Sequence, residues 1–251
     1  MIAPISGPID LTNKVAIVTG GARGIGQAIC FALAREGAHV APCDVLPTGD
    51  TVSGIKKQGR KALGFVCDVL LKAQIKNAVK QVIDAWGRID ILVNNAAILG
   101  KTQKAFEEIT PEEWDHLLET NLRGTFLMTQ AVWPHMVNQG GGKIVCLGSL
   151  AGRIGGVLAG PHYCASKGGI HTFVKWAAKY GAQLGIYVNG IAPGPIVTPM
   201  TLNEPYKDEM VILGRLGQPE DIAEVAVFLA SQASNFITGS TIDVNGGMFM
   251  L

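Results

Sequence analysis

A strand-like run, Val15-Ala16-Ile17-Val18-Thr19, passes directly into Gly20-Gly21-Ala22-Arg23-Gly24-Ile25-Gly26 and then into a helix-periodic segment. Glycines here let the backbone approach a pyrophosphate where a Cβ would intervene, and the free N–H groups of a helix start face its negative charge. A strand before and a helix after are the setting in which such a turn binds a dinucleotide. A tight strand–helix turn without ligand is the alternative. The Gly-Lys-Ser/Thr of a nucleoside triphosphatase loop is absent. Asp44 closes the next strand-like run, 18 residues after Gly26, near the distance at which a carboxylate accepts hydrogen bonds from the adenosine ribose. Its charge would repel a 2′-phosphate, so the spacing predicts NAD over NADP. Arg23, able to approach such a phosphate, argues the other way, and a solvated loop carboxylate is the plainer reading of Asp44.

Other chemistry-bearing residues are sparse. The five cysteines, Cys30, Cys43, Cys67, Cys146 and Cys164, are scattered with no Cys-x-x-Cys pair. Cys43, Cys67 and Cys146 sit inside apolar runs, where a thiol behaves as a small buried hydrophobe. Such usage predicts a reduced, cytoplasmic protein. The histidines, His39, His116, His135, His162 and His171, form no ligand cluster, so no metal site is expected.

The elements that must position the turn follow from periodicity. Strands are predicted at Val15–Thr19, His39–Cys43, Ala62–Cys67, Ile89–Val93, Lys143–Leu147, Ile186–Ile191 and Thr241–Val244. Helices fit Ile25–Glu36, Thr51–Gln58, Lys72–Trp86, Glu112–Gln139, Tyr163–Leu184 and Glu220–Ser231. Thr110-Pro111-Glu112-Glu113 combines an N-cap, a first-turn proline and a capping-box glutamate. Asn121-Leu122-Arg123-Gly124 predicts a break or kink within the long segment that follows. Alternating strands and helices predict an α/β fold with one doubly wound, seven-stranded parallel sheet and helices on both faces. Continuous apolar strands such as Ile91-Leu92-Val93 fit burial on both sides. No linker or repeat divides residues 1–251, so a single domain is expected, with residues 1–12 as an N-terminal extension.

Composition sets the outer bounds. With 21 Lys+Arg against 20 Asp+Glu, the chain lacks the basic surplus that nucleic-acid binding requires. No apolar run approaches the ~18 residues of a membrane span, and no positive charge precedes Lys14 as a signal peptide would need. Glycine, 32 of 251 residues, is in nearly twofold excess over ordinary usage.

Beyond the turn, Asn94-Asn95-Ala96-Ala97, Asn121, Ser149, Tyr163-x-x-x-Lys167 and Pro193-Gly194 follow Thr19-Gly20-x-x-x-Gly24-x-Gly26 in order. The set resembles the short-chain dehydrogenases/reductases, NAD-preferring type, over essentially the whole chain. The resemblance implies a Rossmann fold and hydride transfer between a nicotinamide cofactor and a secondary alcohol or ketone. It makes Tyr163 the catalytic acid/base, Lys167 and Ser149 its partners, and Asn121 the holder of a water against the lysine. Positions 163 and 167 leave one face of a helix. One ammonium at ~4 Å offers about 4 kcal/mol at an effective dielectric of ~20, enough to lower a phenol of pKa ~10 by two to three units. Lys167 is thus expected to activate Tyr163. Ser149 follows the strand ending at Leu147, at the carboxyl end of the sheet where such folds bind ligands.

The same resemblance assigns Gly20, Gly24 and Gly26, with Arg23 and Ile25, to the pyrophosphate, and Asp44 to the ribose. Asp68 and Val69 would line the adenine, Asn94 would stabilise the central strand and Ala96 would lie near the ribose. Pro193, Gly194, Ile196 and Thr198 would flank the nicotinamide. Ala97 and Gly148 depart from the pattern, standing where glycine and a second serine are usual. The Ser149–Tyr163 interval, Leu150 to His162, is one residue longer than is usual in the family and glycine-rich.

By position, a small-molecule substrate would meet Ser149, Ala151, Arg153, Leu158, His162, Tyr163 and Pro195, under a short lid at 199–213. Arg153 would pair with an anionic substrate or else be a surface arginine. The family's 3-oxoacyl-carrier reductases are close in pattern but usually take NADPH. A catalytically silent NAD-binding subunit is a further alternative, against which the intact Asn121, Ser149, Tyr163 and Lys167 argue. Family members are typically homotetramers. Phe126, Met128, Trp133, Phe173 and Trp176 place apolar surface on more than one helix face, and Met248-Phe249-Met250-Leu251 is an apolar end suited to a subunit contact.

Overall fold

The computed structural model describes residues 9–156 and 158–250. Seven strands form one parallel sheet: β1 (Val15–Thr19), β2 (His39–Asp44), β3 (Phe65–Val66), β4 (Ile91–Asn94), β5 (Gly142–Leu147), β6 (Ile186–Pro193) and β7 (Thr241–Val244). Their order is β3-β2-β1-β4-β5-β6-β7. The chain therefore reverses direction across the sheet between β1 and β4, and the crevice at that switch point is where such sheets bind ligands.

The principal helices are α1 (Gly24–Arg35), α2 (Gly49–Lys57), α3 (Lys72–Trp86), α4 (Pro111–Leu118), α5 (Gly124–Asn138), α6 (Ala151–Ile154), α7 (Pro161–Gly181) and α8 (Pro219–Ala230). The alternation of β1 sorts them into two layers. Ala16 and Val18 face the layer of α1 and α8, while Val15 and Ile17 face that of α3, α5 and α7. All five residues of β1 are buried, and each fully buried Ile or Val contributes roughly 1.5–3 kcal/mol. Burial on both sides is what holds the glycine turn's point of departure rigid.

Three sequence expectations change. The strand expected at Ala62–Cys67 shrinks to Phe65–Val66 plus one isolated bridge, Val40 to Ala62. Gly64 explains the gap: a Cβ there would lie 2.2 Å from Thr48 Oγ1, so the edge packs against the loop before α2 rather than lying flat along β2. The long helix expected at Glu112–Gln139 is α4 and α5 joined by a π-helical turn, Glu119–Arg123, at the predicted kink. Gly124 ends that turn where a Cβ would meet Val69 Cγ2 at 2.6 Å, so the break lets the helix pass close to the cleft wall. α6 is a single turn unseen in the sequence, too short to show periodicity.

At the amino end, residues 1–8 of the expected extension lie outside the described residues. Leu11 does not belong to an extension; it is a core residue, 2% exposed, with its amide donating to Glu36 O. The Thr110 capping box is present in both directions, Glu113 N to Thr110 Oγ1 and Thr110 N to Glu113 Oε2.

Candidate active site

A cleft of about 350 Å³ runs along the carboxyl ends of β1, β2, β4, β5 and β6. Its floor is the glycine turn. Gly20 and Gly24 have φ of 65° and 57°, the left-handed region that favours glycine. Gly26 is required by approach instead: a Cβ would stand 2.0 Å from Gly20 O. Among the described residues no side-chain cap closes α1 at its N-cap Arg23, so its first-turn amides are available to an anion. Asn95, part of the Asn94–Ala97 motif but given no role from sequence, fastens the turn by donating through Nδ2 to Thr19 O and Gly20 O at 2.9 and 3.1 Å. Thr19 Oγ1 in turn accepts from the Asn95 and Ala96 amides, both at 3.0 Å. The turn is held by β4's loop, and so is preorganised.

Asp44 sits at the end of β2 on the cleft wall, its oxygens accepting from Ala22 N at 3.0 Å and Leu46 N at 2.9 Å. Each carboxylate oxygen keeps lone-pair capacity for a ribose hydroxyl. Arg23 stands exposed on the same rim. Ile25, Asp68, Val69, Ala96, Pro193, Gly194, Ile196 and Thr198 also line the cleft. Uncapped amides, a cradle that a Cβ would fill and an acceptor pair one strand over fit a dinucleotide. Asn94 serves the sheet and not the cleft: its side chain is buried and donates to Thr129 Oγ1 at 3.0 Å and toward Cys146 Sγ at 3.6 Å, a strut between β4 and α5.

Ser149, Tyr163 and Lys167 line the far end of the cleft together. Gly148 turns the chain out of β5 with its amide donating to Ile191 O at 2.8 Å, and Ser149 Oγ accepts from Ala151 N at 3.1 Å. Lys167 is 3% exposed and donates from Nζ to Leu147 O at 2.8 Å. Nζ lies 5.7 Å from the centre of the Tyr163 ring.

The electrostatics differ from expectation. Burial pushes the Tyr163 phenol up to about 12, against a smaller downward pull from the Ser149 hydroxyl. Burial also lowers Lys167 to about 8. A dry site disfavours both ions, and Lys167 directs its hydrogen bond at a carbonyl rather than at the phenol. Both effects favour the neutral phenol over the phenolate in the ligand-free cleft.

Asn121 is fully buried in the π-helical turn, accepting from Ile98 N at 2.8 Å. Both Nδ2 hydrogens are committed, to Ile98 O at 2.9 Å and Ser166 Oγ at 3.1 Å. Ser166 Oγ donates to Tyr163 O at 2.8 Å. Asn121 thus ties the strand after β4 to the first turns of α7, and its side chain does not line the cleft.

Beside Tyr163 lies a smaller cavity of about 70 Å³, bordered by residues of the 199–213 segment. Ser149, Ala151, Tyr163 and Pro195 line it, joined by Leu99, Ile154, Tyr206 and Met248. No local signal marks these four, which lie 42 or more residues apart along the chain. Three expected substrate residues lie elsewhere. Arg153 Nε pairs with Asp243 at 3.2 Å and its NH2 donates to Thr241 O at 3.0 Å, stapling α6 to β7. His162 is 4% exposed and stacks on Trp114 at 6.5 Å. Leu158 lies off both cavities, its carbonyl accepting from Gln103 N. Within 199–213, Met200, Thr201 and Tyr206 face the small cavity. Glu204 there accepts from the Thr102 hydroxyl, so the segment is tied to the loop after β4.

Among the described residues no group of three or more His, Cys, Asp or Glu could hold a metal. Among them also, no helix is long and apolar enough to cross a membrane.

Comparison with known proteins places this geometry. The profile of a family described as "Enoyl-(Acyl carrier protein) reductase" matches residues 20–249. The 3-oxoacyl-[acyl-carrier-protein] reductase FabG of Staphylococcus epidermidis is 39% identical, over 95% of this chain and 100% of its own. The (2S)-[(R)-hydroxy(phenyl)methyl]succinyl-CoA dehydrogenase subunit BbsD of Thauera aromatica is 40% identical, over 95% and 98%. Among solved structures, a short-chain type dehydrogenase/reductase from Mycobacterium marinum superposes with a TM-score of 0.91 at 35% identity, covering 96% of this chain and 98% of that one.

Proposed function

Because the chain belongs to the short-chain dehydrogenase/reductase family, we propose that it is an NAD(H)-dependent oxidoreductase interconverting a secondary alcohol and a ketone. The observation that carries this reading is the meeting of Ser149, Tyr163 and Lys167 at the end of a cleft whose other end is the glycine turn. The bound cofactor would supply the hydride or accept it, and its oxidised ring would add positive charge beside the phenol.

The chain's own residues do the rest. Gly20, Arg23, Gly24, Ile25 and Gly26 receive the pyrophosphate, Asp44 the ribose, Asp68, Val69 and Ala96 the adenosine, and Pro193, Gly194, Ile196 and Thr198 the reactive ring. Ser149 directs the substrate oxygen toward Tyr163. Tyr163, protonated in the dry site, delivers its proton to that oxygen as a ketone is reduced and recovers it in the reverse direction. Lys167, held by Leu147 O, keeps a cation within reach of the ring and lowers the cost of the phenolate. Asn121 fixes the loop and helix that carry them. The apolar lining of the small cavity, with Leu99, Ile154 and Met248, favours a compact apolar substituent on the carbinol carbon.

A second reading is supported by the names of the two curated relatives, one a reductase of a 3-oxoacyl carrier and one a dehydrogenase of a hydroxyacyl-CoA. In it the substrate is a 3-oxoacyl or 3-hydroxyacyl thioester. We further propose a cytoplasmic homotetramer, on the five free thiols and on the exposed aromatic ridge of Trp176 and Tyr180.

The test is spectrophotometric. NADH oxidation is followed with simple ketones and with 3-oxoacyl thioesters, in wild type and Tyr163→Phe. Turnover that vanishes in Y163F while NADH binding persists supports the mechanism. Undiminished turnover in Y163F sinks it, and activity on thioesters alone selects the second reading.

A further inference from the structure

Ser149 is held from both sides, and only one side belongs to the residues discussed so far. His171 stands two turns along α7 from Tyr163, 7% exposed, with Nε2 3.0 Å from the Ser149 carbonyl oxygen. A carbonyl only accepts, so Nε2 carries the hydrogen. Burial lowers the His171 pKa, so the imidazole is neutral and Nδ1 bears a lone pair. Nδ1 is buried with no partner among the described residues. The donated bond to Ser149 O is thus the one polar contact that orients the ring.

The ring also dictates its neighbour. A Cβ on residue 148 would lie 2.4 Å from His171 Cε1, so Gly148 is glycine because the imidazole occupies the side-chain space above it. The departure at position 148 and the histidine at 171 form one packing unit. Arg153 and Asp243, whose ion pair anchors α6 to β7, act electrostatically on the same imidazole, as does Lys167.

We propose that His171 is a positioning residue: its Nε2–H holds the Gly148–Ser149 segment so that the Ser149 hydroxyl meets substrate beside Tyr163. This rests on the proposed function for its kinetic consequence, though not for its structural one. Without the donor, Ser149 O keeps only the Gly152 amide, at 3.0 Å within the same short turn, and loses its tie to α7. The Ala151 amide, which donates to Ser149 Oγ at 3.1 Å, then reports the loosening.

The test uses the full chain. His171→Phe keeps ring volume without the donor, and His171→Gln keeps an N–H able to reach Ser149 O. In H171F, kcat is expected to fall at least tenfold while the NADH dissociation constant stays within twofold of wild type. Amide exchange at Ala151 should accelerate at least tenfold, and H171Q should recover most of both effects. Turnover and Ala151 protection within twofold of wild type in H171F overturn the proposal. So does a loss of NADH binding in step with kcat, which a merely structural role would give. If H171F does not fold, H171Q is compared with His171→Leu, and equal behaviour of the two overturns it. If wild type turns over nothing, the proposed function fails, and Ala151 exchange alone decides the placement of Ser149.

Discussion

The Asp44 carboxylate accepts the Ala22 amide through one oxygen and the Leu46 amide through the other. The residue proposed to face the cofactor ribose therefore also clamps the glycine turn to the end of β2. On that proposal, cofactor choice and turn geometry share one side chain.

Asp44→Asn keeps one oxygen for a backbone amide and removes the charge. With Arg23 exposed on the same rim, the ratio of kcat/KM for NADP⁺ over NAD⁺ should rise at least tenfold, about 1.4 kcal/mol of relative transition-state stabilisation. An unchanged ratio would remove Asp44 from cofactor selection. An NADP⁺ preference already present in wild type would overturn the NAD assignment while leaving the reaction class in place.

Lys167 links the site to stability. Its pKa is lowered by burial to about 8 from 10.5. Below pH 8 both folded and unfolded chains carry the proton and the fold bears the full cost of the buried cation. Between pH 8 and 10.5 the unfolded chain binds more protons, so this group makes stability rise with pH. Wild type should gain up to roughly 3 kcal/mol relative to Lys167→Met as pH climbs from 7.5 to 10.5. The contribution of Tyr163 is common to both proteins. Urea titrations across that range check the sign, and a flat difference would refute it.

Gly26→Ala places a methyl 2.0 Å from Gly20 O. The neighbour is backbone, inside a turn held by Asn95, and cannot move aside cheaply. A loss of about 3 kcal/mol is expected, together with weakened NADH binding. Unfolding with and without NADH measures both. Wild-type stability in this variant would mean the turn is less rigid than its hydrogen bonds imply.

Trp176 stacks on Tyr180 at 5.3 Å with 62% of its surface exposed, and Phe126 is 44% exposed on the adjoining α5. Large apolar surface of this kind on parallel helix faces marks an association site. Trp176→Glu combined with Phe126→Glu should reduce the mass seen by light scattering to that of a smaller assembly. A monomeric wild type, or an unchanged mass in the variant, would refute the tetramer proposal.

What the sequence determined by itself was local. The strand, turn and helix around Gly20–Gly26, the burial of β1 on both faces, the capping box at Thr110 and the one-turn spacing of Tyr163 and Lys167 all lie within short stretches. There periodicity and steric need act directly. Edge and junction details were already less legible: β3 depends on Gly64 meeting Thr48, and the π-helical turn on Gly124 passing Val69.

Only the tertiary structure decided what distant segments do to one another. It turned Arg153 to Asp243, 90 residues away, committed Asn121 to Ile98 and Ser166, and brought Leu99, Tyr206 and Met248 around one cavity. It also set the protonation of the site, since desolvation depends on everything packed around Tyr163 and Lys167 and on no spacing between them. His171 shows the same limit: a histidine among apolar helix residues acquires meaning only when β5 delivers Ser149 to its ring.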